Sequence, residues 1–227
     1  MYRVVWRRDS VAHFRTGGRQ VTRTKGYGVR DRLASQPLLS PWGSPQPRSR
    51  PREWVMTTGE TASAQLETIG WLHTVLGEQG VDYWLFGGWA VDFHVGRVTR
   101  HHDDVDLAVW QSDLDRVSGL LEADGWAHAP DPGEQGYTGY ERDDVRVELA
   151  FLARDDTGTI YTPLSDGQGD WPPGSFGDAI GEVSGVHARV VSLASLIEDK
   201  SGARHDPAVT AKDQADVGLL TSLSQSD

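Results

Sequence analysis

Two aspartates, Asp104 and Asp106, flank a single valine in the run Thr99-Arg100-His101-His102-Asp103-Asp104-Val105-Asp106-Leu107. In a β conformation this spacing sends both carboxylates to one face and Val105 and Leu107 to the other. Carboxylates so close repel each other unless a cation lies between them. Hard oxygen ligands of this kind suit Mg²⁺, which binds through one or two carboxylates plus the phosphates of a substrate. An acidic strand end facing solvent is the competing reading of an Asp-x-Asp taken alone. A third acid, Glu148, lies in Val145-Arg146-Val147-Glu148-Leu149-Ala150-Phe151, where Val145, Val147, Leu149 and Phe151 share the apolar face and Glu148 takes the other. It could complete a metal site or act as general base on an acceptor hydroxyl. A solvent-facing glutamate on a half-buried strand fits the local pattern equally well. Upstream, Gly87-Gly88-Trp89 follows a β-type run directly. If a helix opens there, its N–H groups can grip phosphate oxygens and the glycines allow close approach. Gly-Gly is also a generic tight turn.

The elements that would position these residues can be read on both sides. Leu66, Ile69, Leu72, Val75 and Leu76 repeat at helical spacing, with Gly80 as a stop. Val81 to Phe86 reads as a strand and Trp89 to about Val95 as a helix. Val105 to Trp110 is a second strand, after which Ser112 is placed to cap a helix carrying Leu114, Val117, Leu120 and Leu121. Trp126 to Ala129 and Gly139 to Glu141 are weaker strands. Asp143-Asp144 is a turn, and Val145 to Leu152 is a strand. Residues 155–185 read as loop-rich, Val186 to Val191 as a strand. Ser192 caps a helix from Leu193 to Lys200, and a last helix spans about Val209 to Leu220. This order predicts an α/β (α+β) domain, a mixed sheet with flanking helices and a helical C-terminal end. Trp84, Trp110 and Trp126 belong to the core by this reading, whereas Trp89, beside the glycines, is a candidate to stack on a nucleobase.

The chain divides sharply by charge. Its 227 residues carry −11 in all, yet residues 1–55 hold 12 of the 22 Lys+Arg against three acids, leaving −20 from Met56 onward. Residues 1–55, with aperiodic arginines and Pro37, Pro41, Pro45, Pro47 and Pro51, read as a disordered basic extension. It is either a nucleic-acid-binding arm or a stretch upstream of a natural start at Met56. Residues 56–191 would form the catalytic domain and 192–227 a C-terminal helical segment. The absence of cysteine excludes disulfides, thiolate zinc sites and a cysteine nucleophile. No apolar run nears the roughly 18 residues of a membrane span, and the N-terminus has no secretory h-region, so a cytoplasmic protein is expected.

The glycine block and the block from Thr99 to Leu107 together resemble the DNA polymerase β-like nucleotidyltransferase superfamily. Within it the likeness is to aminoglycoside 2″-adenylyltransferases and lincosamide nucleotidyltransferases, over roughly residues 60–220; residues 1–55 have no counterpart. The resemblance implies a polymerase β-like nucleotidyltransferase fold and transfer of a nucleoside monophosphate from a nucleoside triphosphate, ATP being the common donor. By the same likeness Gly87 and Gly88 would contact the triphosphate, with Trp89 beside them. Asp104 and Asp106 would hold Mg²⁺, and Glu148 would be the third metal carboxylate or the base. Arg100, Lys200 and Lys212 would neutralise phosphate charge. The family often has Asp where Glu148 stands.

The acidity after Met56 disfavours a polynucleotide substrate and suits a polycationic acceptor such as an aminoglycoside. Candidate contacts are Asp131, Glu134, Asp155, Asp156, Asp166 and Asp170, although the acidity reads equally well as serving solubility alone. Two further functions remain open at this point: a nucleotidyltransferase toxin acting on a protein or tRNA, and a nucleotide-binding regulatory module without catalysis.

Overall fold

In the computed structural model the described residues are 58–131, 135–165, 167–202 and 206–225; the basic stretch 1–55, Glu134 and Asp166 lie outside them. Helix α1 (Thr58–Glu78) buries Ile69, Leu72 and Leu76, and Gly80 follows it at φ +64°. Strand β1 (Tyr83–Leu85) leads into α2 (Gly87–Val95), which ends on Gly96 in the left-handed conformation. Strand β2 (Val105–Trp110) comes next, then a 3₁₀ turn over Gln111–Asp113 and α3 (Leu114–Ala123). Ser112 is therefore inside the turn and caps nothing. The helix starts after Asp113, whose side chain makes no capping bond.

The remaining strands are β3 (Ala127–His128), β4 (Tyr137–Arg142), β5 (Val145–Arg154), β6 (Ile160–Leu164), β7 (Gly167–Asp170), β8 (Ile180–Val183) and β9 (Val186–Arg189). Helices α4 (Leu193–Lys200) and α5 (Pro207–Ser224) complete the chain. The region 155–185, expected to be loop, thus holds three strands. They are four or five residues long and contain Gly or Pro, so they have too few alternating apolar positions to register as strands.

The sheet runs β1-β2-β5-β4-β3, with β6 on the far end of β5 and β7 on β6; β8 and β9 form a separate ribbon. Within the seven-stranded sheet only β2 and β5 are parallel. β4 and β5 join through Asp143-Asp144, both at positive φ (48° and 65°), the backbone of a two-residue hairpin. The core lies where β2 and β5 meet the helices: Val105, Leu107, Ala108 and Val109 of β2 and Val147, Leu149 and Ala150 of β5 have no exposure. Helices α4 and α5 pack on one another and on α2. Among the described residues no helix is long and apolar enough to cross a membrane.

Candidate active site on the parallel strand pair

Strand β2 is buried along almost its whole length, yet its second residue is an aspartate at 1% exposure. A carboxylate there costs free energy unless something compensates it. The register explains its company: β2 and β5 run parallel with Asp106 directly opposite Glu148. Asp104, one residue before the strand, points to the same side. One ligand atom from each of Asp104, Asp106 and Glu148 lies within 4.8 Å of the others. Strand alternation and one parallel pairing thus bring together three acids from two segments more than forty residues apart.

Gly87 closes this corner from the other side. A Cβ built on it would stand 2.0 Å from Asp106 Oδ2 and 2.9 Å from its Cγ, and its φ is +64°. A side chain at Gly88 would lie 2.5 Å from His102 Nδ1 and 2.6 Å from Arg100 Nη2. The paired glycines therefore make room for this protein's own side chains. The helix opens at Gly87 itself, two residues earlier than the sequence pattern suggested, and Phe86 before it provides no side-chain cap. The first-turn N–H groups of α2, without intrahelical acceptors, begin against the carboxylate corner.

Trp89 does not face a ligand. It is 1% exposed, donates from Nε1 to Gln65 Oε1 at 3.3 Å, and lies 4.5 Å from the His102 ring. With Gln65 on its Nε1, the His102 ring beside it and Phe93 edge-on, the indole is core and offers nothing to a nucleobase. Trp84 and Trp126 are buried as expected, and Trp110 is half-buried under Arg154.

Two of the cations expected to meet phosphates, Lys200 and Arg100, are already matched within the protein. Lys200 is 6% exposed and pairs with Asp213 at 3.0 Å and Asp216 at 2.8 Å. Arg100 pairs with Asp216 at 3.1 Å, and its guanidinium lies beside Gly88 at the start of α2. Burial alone would raise the Asp216 carboxyl, but the hydrogen bond from Arg100 and the charge of Lys200 outweigh it and hold the group below the ordinary carboxylate range. Lys212 is half-buried on α5 and forms no ion pair among the described residues.

Sequence reasoning missed the polar cluster behind the Asp104 loop. Asp92 has no exposure. It accepts from Thr99 N at 3.1 Å, from Thr99 Oγ1, and from His102 Nε2 at 2.6 Å. Arg100 Nη1, always a donor, faces His102 Nδ1 at 3.1 Å, so Nδ1 accepts and Nε2 carries the proton. Gln65 Nε2 donates to the His102 carbonyl at 3.1 Å. The signal was present: Asp92 is the one acid among the apolar residues Trp89, Ala90, Val91 and Phe93. These bonds hold the loop from Thr99 to His102 and so set where Asp104 emerges.

Of the acids offered as acceptor contacts, Asp131 is drawn toward Glu148 by Arg146, which bonds Asp131 at 2.8 Å and stands 3.6 Å from Glu148. Asp155 instead closes its own turn. It accepts from Thr157 Oγ1 and from the N–H groups of Thr157 and Thr159, and the Thr157 hydroxyl leads these bonds in pulling its carboxyl down. Asp156 and Asp170 are exposed, and Asp170 takes a hydrogen bond from Gln168.

This mixed sheet with its acid corner has the fold of nucleotidyltransferases. The chain is similar to the lincomycin-bound lincosamide antibiotic adenylyltransferase LnuA, at 19% identity over 69% of this chain and 96% of that one with a TM-score of 0.56. It is likewise similar to ANT(2″)-Ia in complex with adenylyl-2″-tobramycin, at 24% identity over 70% of this chain and 90% of that one, also with a TM-score of 0.56. At such identities the likeness is one of fold. The family is given by sequence: a model of the aminoglycoside-2″-adenylyltransferase family matches residues 69–217, and the chain belongs to that family. A stretch of 39 residues is 49% identical to 2″-aminoglycoside nucleotidyltransferases of Escherichia coli and Klebsiella pneumoniae, spanning 16% of this chain and 22% of those relatives.

Proposed function

We propose that the protein is a Mg²⁺-dependent nucleotidyltransferase. It moves a nucleoside monophosphate, AMP from ATP, onto a hydroxyl of a small cationic acceptor of the aminoglycoside or lincosamide kind. The observation that carries this reading is the convergence of Asp104, Asp106 and Glu148 within 4.8 Å of one another. Family membership over residues 69–217 supports it.

The residues fit a hard divalent cation. Three carboxylates offer oxygen ligands, and Gly87 leaves the space in which the Asp106 carboxylate stands. When bound, such an ion would offset negative charge on the α-phosphoryl group and on the departing pyrophosphate. The rest falls to the chain. Asp104 and Asp106 are fixed by β2 and by the Thr99–His102 loop. The first turn of α2 offers N–H groups to phosphate oxygens. Glu148 receives the proton as the acceptor oxygen bonds to the α-phosphorus and the bond to pyrophosphate breaks. Positioning and electrostatics do most of this work, and no covalent enzyme intermediate is involved. The acidity from Met56 onward favours a cationic acceptor over a polynucleotide.

The test is pyrophosphate release from ATP and MgCl₂ across aminoglycosides, lincosamides and unrelated hydroxyl compounds. Release that requires one acceptor class and disappears in the double variant Asp104→Ala/Asp106→Ala is the expected result. Silence across the panel with Mg²⁺-dependent ATP binding intact would overturn it in favour of a protein acceptor or a regulatory role.

A further inference from the structure

A general base must be held in place, and a glutamate has three rotatable side-chain bonds to lose. Glu148 lies on the less buried face of β5, and two residues earlier on that face stands Arg146. Its guanidinium is fixed from several directions. Nη2 bonds Asp131 Oδ2 at 2.8 Å, and Nη1 bonds Glu141 Oε1 at 2.9 Å and the Ala129 carbonyl at 3.2 Å. Beneath it lies Gly139, the β4 residue opposite Glu148. Any side chain at Gly139 would put a Cβ 2.5 Å from Nη2 and 2.8 Å from Cζ. The guanidinium therefore rests in a slot over a glycine, with one nitrogen 3.6 Å from Glu148 Oε1. That distance makes an ion pair rather than a hydrogen bond.

We infer that Arg146 is a positioning residue for transfer: anchored by Asp131 and Glu141, it holds the Glu148 carboxylate turned toward Asp104 and Asp106. The inference rests on the reading of Glu148 as the base. A side chain that merely knitted β3, β4 and β5 together would affect stability alone. A positioning side chain acts on turnover and acts through Glu148.

The experiment is steady-state and single-turnover pyrophosphate release by the full chain with ATP, MgCl₂ and tobramycin, alongside thermal melts. Arg146→Ala, Arg146→Lys, Glu148→Gln and the Arg146→Ala/Glu148→Gln double variant are compared with wild type. Arg146→Ala is expected to lower kcat by about 10–100-fold, the scale seen when a group orienting a site ligand is removed, with little change in either KM. Arg146→Lys keeps the charge without the fork and is expected to recover part of the loss. In the Glu148→Gln background the Arg146 substitution should change the rate by less than about twofold, because its route of action is gone. If Arg146→Ala does not fold, the same cycle is run with Arg146→Lys.

Equal losses in both backgrounds, a change in acceptor KM alone, or a lowered Tm with kcat intact would overturn the inference and leave the transferase reading standing. A wild type that releases no pyrophosphate with tobramycin or any other acceptor would overturn both.

Discussion

Two clusters of acids in this fold are built on different principles. At the β2–β5 junction Asp104, Asp106 and Glu148 are gathered on one another, their oxygens within 4.8 Å. Asp213 and Asp216 are instead gathered on cations, with Lys200 paired to both and Arg100 paired to Asp216. The second arrangement is what a protein does to make buried charge tolerable. The first, with Arg146 3.6 Å from Glu148 at its edge, is a set of oxygen ligands that could hold a metal ion. Charge removed from the first cluster should therefore cost activity, and charge removed from the second should cost stability.

The most direct way to break this contrast is Asp106→Asn. It keeps the shape of a side chain at 1% exposure while removing its charge. Turnover is expected to fall by about three orders of magnitude. The Tm should hold or rise, since repulsion among neighbouring carboxylates is relieved. A large fall in Tm would mean that the junction is an ordinary structural cluster. Gly87→Ala approaches the same corner through sterics. Its Cβ would land 2.0 Å from Asp106 Oδ2 at a φ of +64°. Displacing the carboxylate should cost about 100-fold in kcat, with about 1–3 kcal/mol of backbone strain read by urea unfolding.

Asp216→Ala probes the other cluster. It removes the carboxylate shared by Arg100 and Lys200, the latter only 6% exposed, and should destabilise by about 3–5 kcal/mol. Its pH dependence has a definite sign. The native carboxyl is held below the ordinary range, against the upward push of burial, by Arg100 and Lys200. The stabilisation is thus complete above the unfolded value of about 3.9 and drains away as pH falls through the lower native value. Tm measured against pH should show wild type and Asp216→Asn converging in acid. A gap that stays constant down to pH about 3 would contradict the assignment.

How much of this was legible in the sequence follows the same division. The three acids could be found because strand alternation is local: Asp104 and Asp106 are two apart, and Glu148 stands on the polar face of a strand whose other face is apolar. That Asp106 sits opposite Glu148 was beyond reach, because the parallel pairing of β2 with β5 depends on the intervening chain. The ion network was hidden for the same reason, since Arg100, Lys200 and Asp216 meet through tertiary packing alone. Trp89 was misread because its neighbours in sequence are glycines, whereas its neighbours in space are Gln65 and His102. Ser192 was legible because capping is local: its side chain accepts from Ser195 N at 3.3 Å.

That cap gives the smallest expected effect and the finest test of whether the two clusters are separable. Helix α4 is eight residues long, with Ser192 before its first turn and Lys200 at its end. Ser192→Ala removes one acceptor for the first-turn N–H groups and should cost about 1 kcal/mol in urea unfolding. Because the Lys200 pairs with Asp213 and Asp216 hold the other end, fraying should stop short of the network, and kcat should match wild type. A matched loss of kcat would show that the seating of α4 is transmitted through Lys200, Asp216 and Arg100 to the loop that carries Asp104. The stabilising cluster would then be part of the catalytic apparatus.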